Sequence, residues 1–276
     1  MRSIKFKILP PPAILRNDVE CFRIAEYTGD AELAVKVSPD AVPGIVIQHN
    51  DGRSAIESIV TPSGSTCPPT LFLYGPGIEP SVMHYNRGPY TTTQVVLKPH
   101  GLKTLFGINA SVLSNNLAEP TEFSAGQLND QLMEAHNDQE QICLLTGFLV
   151  SRLKHENPRD ALVEECVRLI HSNVGSISVS YLLDTFNLSE RQFERRFTQT
   201  VGVTPQAYIR VKRFNEAIRL MKSGQYAMLS DIAYALNYYD QSHFVRDIKA
   251  FSGLTPGNLS RQGDDFYHGQ TGYSYI

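Results

Sequence analysis

The sequence predicts an α+β protein: an all-β sandwich in front, a short helical segment behind it, and an all-α C-terminal domain that carries one helical motif twice. Three observations lead there. Residues 1–123 are rich in proline, glycine and β-branched residues, with short apolar runs between turn signals. From residue 124 the apolar residues recur at helical spacing instead. Finally, SERQFERRFTQTVGVTP (189–205) returns fifty-one residues later as DQSHFVRDIKAFSGLTP (240–256).

In the first region, CFRIAEYTG, PGIVIQHNDGRSAIESIV, PTLFLYGPG and TTTQVVLK read as strands. HNDG between two apolar runs predicts a hairpin, and PSGSTCPP and GPGIEP predict loops. The opening MRSIKFKILPPPAILRN is neither a secretory signal nor a membrane span, because three prolines interrupt its apolar residues. No stretch approaches the roughly twenty apolar residues that a bilayer requires, so the chain is expected in the cytoplasm, with no membrane partner.

Residues 124–157 read as helical. Ser124 is suited to cap the first helix, and Asp138 to cap the second with Gln141 three residues on. Ile142, Leu145, Leu149 and Leu153 form a stripe that Leu144, Phe148 and Val150 widen. Packing on the β domain is the simplest use of so broad a face; dimerisation is the alternative. NPRD (157–160) marks a boundary, and the halves on either side are expected to fold separately. The tail, 262–276, is polar and studded with tyrosine and is expected to be loosely ordered.

Within 158–261 the repeat has a mechanical meaning. Phe193 matches Phe244, Arg195 matches Arg246, Gly202 matches Gly253, and Thr204-Pro205 matches Thr255-Pro256. Each copy has an N-cap (Ser189 or Asp240), an inward pair (Phe193/Phe197 or Phe244/Ile248), a glycine that stops the helix and a Thr-Pro that opens the next. A shorter helix precedes each copy, with Leu182, Leu183 and Phe186 inward in the first and Ile232, Ala233 and Leu236 in the second. Helix, tight turn, helix is the layout of a motif whose second helix enters the DNA major groove.

The outward residues suit that task. In the first copy they include Arg191, Gln192, Glu194 and Arg195; in the second, Gln241, Ser242, His243 and Arg246. Arginine grips guanine bidentately, glutamine grips adenine, and glutamate accepts from cytosine. A solvated helix face has the same composition, and a single copy would not decide between the two; two copies in register favour readers. TPQAYIRVKRFNEAIRLMKSG (204–224) joins them with a helical stripe of Val211, Phe214, Ile218 and Met221. Its ~18 residues span about 27 Å, against the ~34 Å repeat of major grooves on one DNA face. The whole chain carries a net charge of −3, yet residues 186–222 hold eight Lys/Arg against three Asp/Glu, an excess expected to serve phosphate binding.

LSERQFERRF, GVTPQAYIRVKRFNEA, DIAYALNYYDQSHFVRDIK and GLTP resemble the AraC/XylS family of bacterial transcription regulators over about 160–261. The resemblance implies two helix-turn-helix units on one linking helix, both inserted into adjacent major grooves of double-stranded DNA. It carries Arg191, Glu194 and Arg195 over as base-facing in the first unit, and Gln241, Ser242, His243 and Arg246 in the second, with Gln192 also counted among the DNA-binding residues. Arg210, Lys212, Arg213 and Lys249 become phosphate contacts or framework, with Arg213 and Lys249 counted among the DNA-binding residues. It further implies a cupin-like sensor for a small-molecule effector in 1–123, dimerisation through 138–156 and RNA polymerase as a partner. QVVLKPHGLKTLFGINASVL resembles a sensor segment of the family, a last strand followed by a helix near Leu102–Phe106. Three departures stand out: Asn237 where glycine is usual, Leu183 where alanine is usual, and a second unit (228–261) with three basic and three acidic residues.

An enzyme is the other reading: a cupin-like catalyst or binder whose helical half serves assembly. His49, His84 and His100 stand singly, without the paired histidines of a cupin metal site. Cys21, Cys67, Cys143 and Cys166 lie far apart, as reduced thiols do. No nucleophile elbow, P-loop or dinucleotide fingerprint occurs. No cofactor, metal or catalytic residue is expected; a ligand would sit among tyrosines and apolar strand residues of 45–97.

Overall fold

The computed structural model describes residues 4–50, 52–155, 157–226, 228–261, 266–269 and 272–275. The N-terminal strands are β1 (Ile4–Leu9), β2 (Val19–Tyr27), β3 (Leu33–Val37), β4 (Gly44–His49), β5 (Ile56–Thr61), β6 (Gly64–Thr66), β7 (Leu71–Tyr74), β8 (Ser81–Tyr85), β9 (Tyr90–Leu97) and β10 (Leu117–Ala118). β11 (Phe266–Gly269) and β12 (Gly272–Tyr275) follow at the far end of the chain. They form two sheets, β1-β2-β9-β4-β7-β10 and β11-β12-β3-β8-β5-β6. Their neighbouring strands pair antiparallel throughout.

Alternation along β4 and β7 divides the interior. Val46 and Phe72 point between the sheets with Tyr27, Tyr85 and Tyr90. Ile45, Ile47, Leu71 and Leu73 point the other way, under helices α2 (Gly126–Glu134) and α3 (Asp138–Leu153). Successive side chains of a strand face opposite sides, so a strand covered on both faces reads as a continuous apolar run, and β4 is buried over its first five residues. Leu145 and Leu149 of α3 complete that outer core, which makes α3 a helix packed on the sandwich. α1 (Gly101–Phe106) falls where the segment resemblance implies it, and Gly107 ends it at φ 67°.

Several local expectations shift. HNDG forms its turn, with Asn50 and Arg53 bridged and Gly52 at φ 80°, but β4 and β5 enter different sheets, so it is a corner and not a hairpin. Buried Gln48 holds the corner: its carbonyl accepts from the Ile56 amide at 3.0 Å and its amide donates to the Pro69 carbonyl at 3.0 Å. α2 starts after Ala125 without a side-chain cap, and Ser124 takes φ 60° instead. α3 is capped one residue early by Asn137, whose side chain accepts from the Glu140 amide, while Glu140 accepts from the His136 amide at 2.9 Å. Gln141 turns inward and accepts from the Thr93 hydroxyl at 2.7 Å. Of the tail, expected to be loose, the described residues 266–269 and 272–275 pair as β11 and β12, and β12 pairs with β3. This covers a sheet edge whose backbone groups would otherwise be open to other strands.

The C-terminal domain is α4 (Ala161–Ser172), α5 (Val179–Phe186), α6 (Glu190–Val201), α7 (Pro205–Ser223), α8 (Leu229–Ala235), α9 (Gln241–Ser252) and α10 (Pro256–Arg261). One core runs through it, with Phe193, Phe197, Tyr208, Phe214, Phe244 and Ile248 all within 1 % of full burial. That core takes in Ala41 of the other half, fully buried at φ 54°, and Ile78 of that half packs against it. The two halves are tied elsewhere as well. The Arg159 guanidinium reaches Asp18 at 2.9 Å and Glu164 at 2.9 Å, and Lys103 donates to the Thr200 hydroxyl at 3.3 Å. The boundary at NPRD is therefore a seam in composition that the tertiary structure closes.

Candidate nucleic-acid interface

Each unit is built by the same local chemistry. Ser189 caps α6 through the Gln192 amide, and Asp240 caps α9 through the His243 amide at 2.6 Å. Gly202 and Gly253 end those helices at φ 91° and 72°, the left-handed region in which a Cβ is unfavourable. Thr204 caps α7 ahead of Pro205 at its first position. In the turns, Asn187 takes φ 49° and Asn237 takes φ 55°, so asparagine serves in both where glycine would be usual. Leu183, the other departure, is partly buried against the domain core.

The repeat is not uniform. Leu182, Leu183 and Asn187 correspond to Ile232, Ala233 and Asn237 at an offset of fifty, whereas Ser189 and Phe193 correspond to Asp240 and Phe244 at fifty-one. The second turn therefore holds one extra residue. Leu188 and Tyr238 both pack against the core, so the extra residue is Tyr239, which is 94 % exposed.

Arg191, Gln192, Glu194 and Arg195 are exposed on α6, and Gln241, Ser242, His243, Arg246 and Lys249 are exposed on α9. Two of them touch their own helix. The Ser189 hydroxyl donates to the Gln192 side chain at 3.0 Å, and Arg246 Nε lies 3.4 Å from the Ser242 carbonyl. The Tyr238 ring meets His243 edge-on at 5.6 Å and so steadies it.

Of the two roles expected for the cations of α7, phosphate contact or framework, their contacts favour framework. Arg213, counted among the DNA-binding residues, donates to the Val174 carbonyl at 3.2 Å and the Ile177 carbonyl at 2.7 Å, so it holds the turn before α5. Arg210 pairs with buried Asp247 at 2.6 Å and lies over the Phe251 ring, locking α7 to α9. Lys212 donates to the Asp40 carbonyl at 2.6 Å, and burial pulls its ammonium below the ordinary lysine range. Arg196 pairs with Asp160, the N-cap of α4, at 2.8 Å, and Arg219 pairs with Glu216. At least five of the eight cations in 186–222 thus have internal partners. The second unit changes in the opposite sense: of its three acidic residues, Asp240 is a cap and Asp247 is neutralised by Arg210.

A cavity of about 460 Å³ lies in the β-sandwich, lined by Arg23, Asp40, Phe72, Tyr74, Met83 and Gln94 among others. Tyrosine and apolar strand residues of 45–97 contribute as expected, but Arg23 and Asp40 come from outside that range. Gln94 donates to the Tyr74 hydroxyl at 2.6 Å, and burial pushes the Asp40 carboxyl up to about 6. His49 ends β4, His84 lies in β8, and His100 contacts the Asn17 carbonyl. Among the described residues no group of three or more His, Cys, Asp or Glu could hold a metal ion, and no helix is long and apolar enough to cross a membrane.

Residues 182–262 match the family described as "Helix-turn-helix domain", and residues 7–119 match a "Domain of unknown function", DUF6597. The "HTH-type transcriptional activator RhaS" of Escherichia coli (strain K12 / DH10B) is 34 % identical over 82 residues, which are 30 % of this chain and 29 % of that protein. Among solved structures, ToxT from Vibrio cholerae aligns with TM-score 0.49 at 14 % identity, covering 87 % of this chain and 97 % of that one. An AraC-type regulator from Chromobacterium violaceum aligns with TM-score 0.35 at 25 % identity, covering 38 % of this chain and 93 % of its own. The matched helix-turn-helix segment and the paired units on α7 make the C-terminal domain similar to the DNA-binding part of AraC-type regulators.

Proposed function

We propose that the protein is a sequence-specific DNA-binding transcription regulator that reads two adjacent major grooves with α6 and α9, under the control of a small molecule in its N-terminal cavity. One observation carries this reading: two capped recognition helices expose polar and cationic residues while their opposite faces share one core with the helix that joins them. A shared core fixes the separation of the readers, and two short DNA boxes about one helical turn apart match such spacing. Arg195 and Arg246 are the foremost base readers, with Arg191, Gln192, Glu194, Gln241, Ser242 and His243 beside them; Lys249 approaches phosphate.

Control by the cavity has a physical route. Asp40 lines the cavity, its carbonyl holds Lys212 of α7, and Ala41 beside it enters the DNA-binding core. An occupant that moves this segment moves the linking helix. A homodimer through α3 completes the reading, since Leu144 and Phe148 are only partly buried there. Selection of binding sites from random duplex DNA with the full chain, at two salt concentrations, tests the proposal. Two boxes and an affinity that falls steeply with salt are expected. Enrichment of no sequence would overturn it.

A further inference from the structure

The second unit poses an electrostatic problem. Its recognition helix offers only Arg246 and Lys249 as cations, and most cations of α7 are engaged within the fold. DNA affinity ordinarily rests on phosphate contacts. Yet this unit displays two aromatic side chains that the fold does not use. Tyr239, the extra residue of the turn, is 94 % exposed, and Tyr234 on α8 is 85 % exposed. Packing accounts for neither. Ile232, Ala233 and Leu236 fill the buried face of α8, and Tyr238 fills the inward position of the turn. The equivalent of Tyr234 in the first unit is Asp184, and Tyr239 has no equivalent there.

Their placement fits one partner. In a helix-turn-helix the second helix enters the groove while the first crosses the sugar-phosphate backbone. Tyr234 lies on that first helix, opposite its buried face, and Tyr239 lies immediately before the Asp240 cap of the recognition helix. Tyrosine hydroxyls are among the neutral groups that donate to phosphate oxygens.

Resting on the regulator reading above, we propose that Tyr234 and Tyr239 are DNA backbone contacts, their phenol hydroxyls donating to phosphates that flank the box read by α9. The second unit then anchors through neutral donors where a more basic unit would use lysine or arginine. Such contacts release no counterions in proportion to their number, unlike cationic ones. They add affinity, fix the register of α9 and leave the salt dependence and base preference unchanged.

The test uses the full chain on its selected duplex, with affinities measured by fluorescence anisotropy at four salt concentrations. Tyr239→Phe and Tyr234→Phe remove only the hydroxyls of exposed side chains, so folding is preserved. Each is expected to weaken binding about three- to tenfold at every salt concentration, with parallel plots of log affinity against log salt and an unchanged selected motif. Lys249→Met, by contrast, should make the slope shallower by about one ion. Affinity within twofold of the parent chain in both tyrosine variants overturns the inference while leaving the regulator reading intact. A changed base preference also overturns it, because the hydroxyls would then be reading bases. A parent chain that binds no duplex overturns both readings together.

Discussion

The two helix-turn-helix units share one local code, yet the rest of the protein holds them differently. The first is docked on the β-sandwich half. A Cβ at Gly202, where α6 ends, would meet Pro76 and approach the Ala110 carbonyl oxygen to 2.8 Å. Thr200 in the same turn accepts from Lys103, and Arg196 is tied to Asp160. The second unit is bordered by α7 and α10, and the corresponding Gly253 faces open space. Two sequences with the same caps, stops and buried pairs can therefore serve different mechanical duties. The first unit is held against the β-sandwich half, whereas the second is held by its neighbours within the C-terminal domain.

Substitutions at matched positions can break this comparison. The largest effect is expected from the inward phenylalanines: Phe193→Ala and Phe244→Ala should each cost ~3–5 kcal/mol, measured by denaturant unfolding. Comparable losses at both sites would show that both units belong to the cooperative core; an unchanged midpoint at either would remove that unit from it.

The stop glycines sharpen the contrast. Gly253→Ala should cost about 1–2 kcal/mol, the left-handed penalty alone. Gly202→Ala should cost more, because Pro76 and the Ala110 carbonyl must also give way. Equal losses would show that the docking of the first unit yields easily. On DNA, Arg195→Ala and Arg246→Ala should each weaken specific binding by ~1–3 kcal/mol and relax the preference at one base position. Unaltered preference in both variants would remove these arginines from base reading.

The smallest effect concerns the segment linking cavity and α7. Burial raises the Asp40 carboxyl to about 6, so the folded chain binds that proton more tightly than the unfolded chain does. Its contribution to stability is full below the ordinary carboxylate range and is lost as pH rises through about 6. His171, pulled down to about 4 by burial beside the Tyr208 hydroxyl, works in the opposite sense: its contribution is lost as pH falls from its ordinary value through about 4. Comparing the parent chain with Asp40→Asn across pH 4 to 7 isolates the carboxyl. The stability advantage of the parent should shrink as pH rises, and a pH-independent difference would refute the assignment.

The helices of the C-terminal domain were legible in the sequence because their signals are local. A cap, a left-handed stop and apolar residues at helical spacing act within a few residues, and the repeat showed which of them recur. The same economy exposed the recognition residues, since residues three and four apart share a face of a helix. Tyr239 was legible too, in the step of the repeat from fifty to fifty-one, but that step emerges only when the turn is aligned apart from the helices.

Long-range partners are a different matter. HNDG specified a turn, and only the packing of the two sheets sent its flanking strands to opposite sides. Arg213 and Lys212 have the composition of phosphate contacts, and the carbonyls that occupy them come from Val174, Ile177 and Asp40, between 36 and 172 residues away. The sequence by itself thus determined the two-part architecture, the paired helix-turn-helix units and the residues they expose. The tertiary structure alone decided which cations find partners within the fold, where the cavity meets the linking helix and that Ala41 joins the other half's core. The reason is physical: helix formation is governed by neighbours along the chain, whereas the role of a charged side chain is set by whichever carbonyl or carboxylate the fold brings beside it.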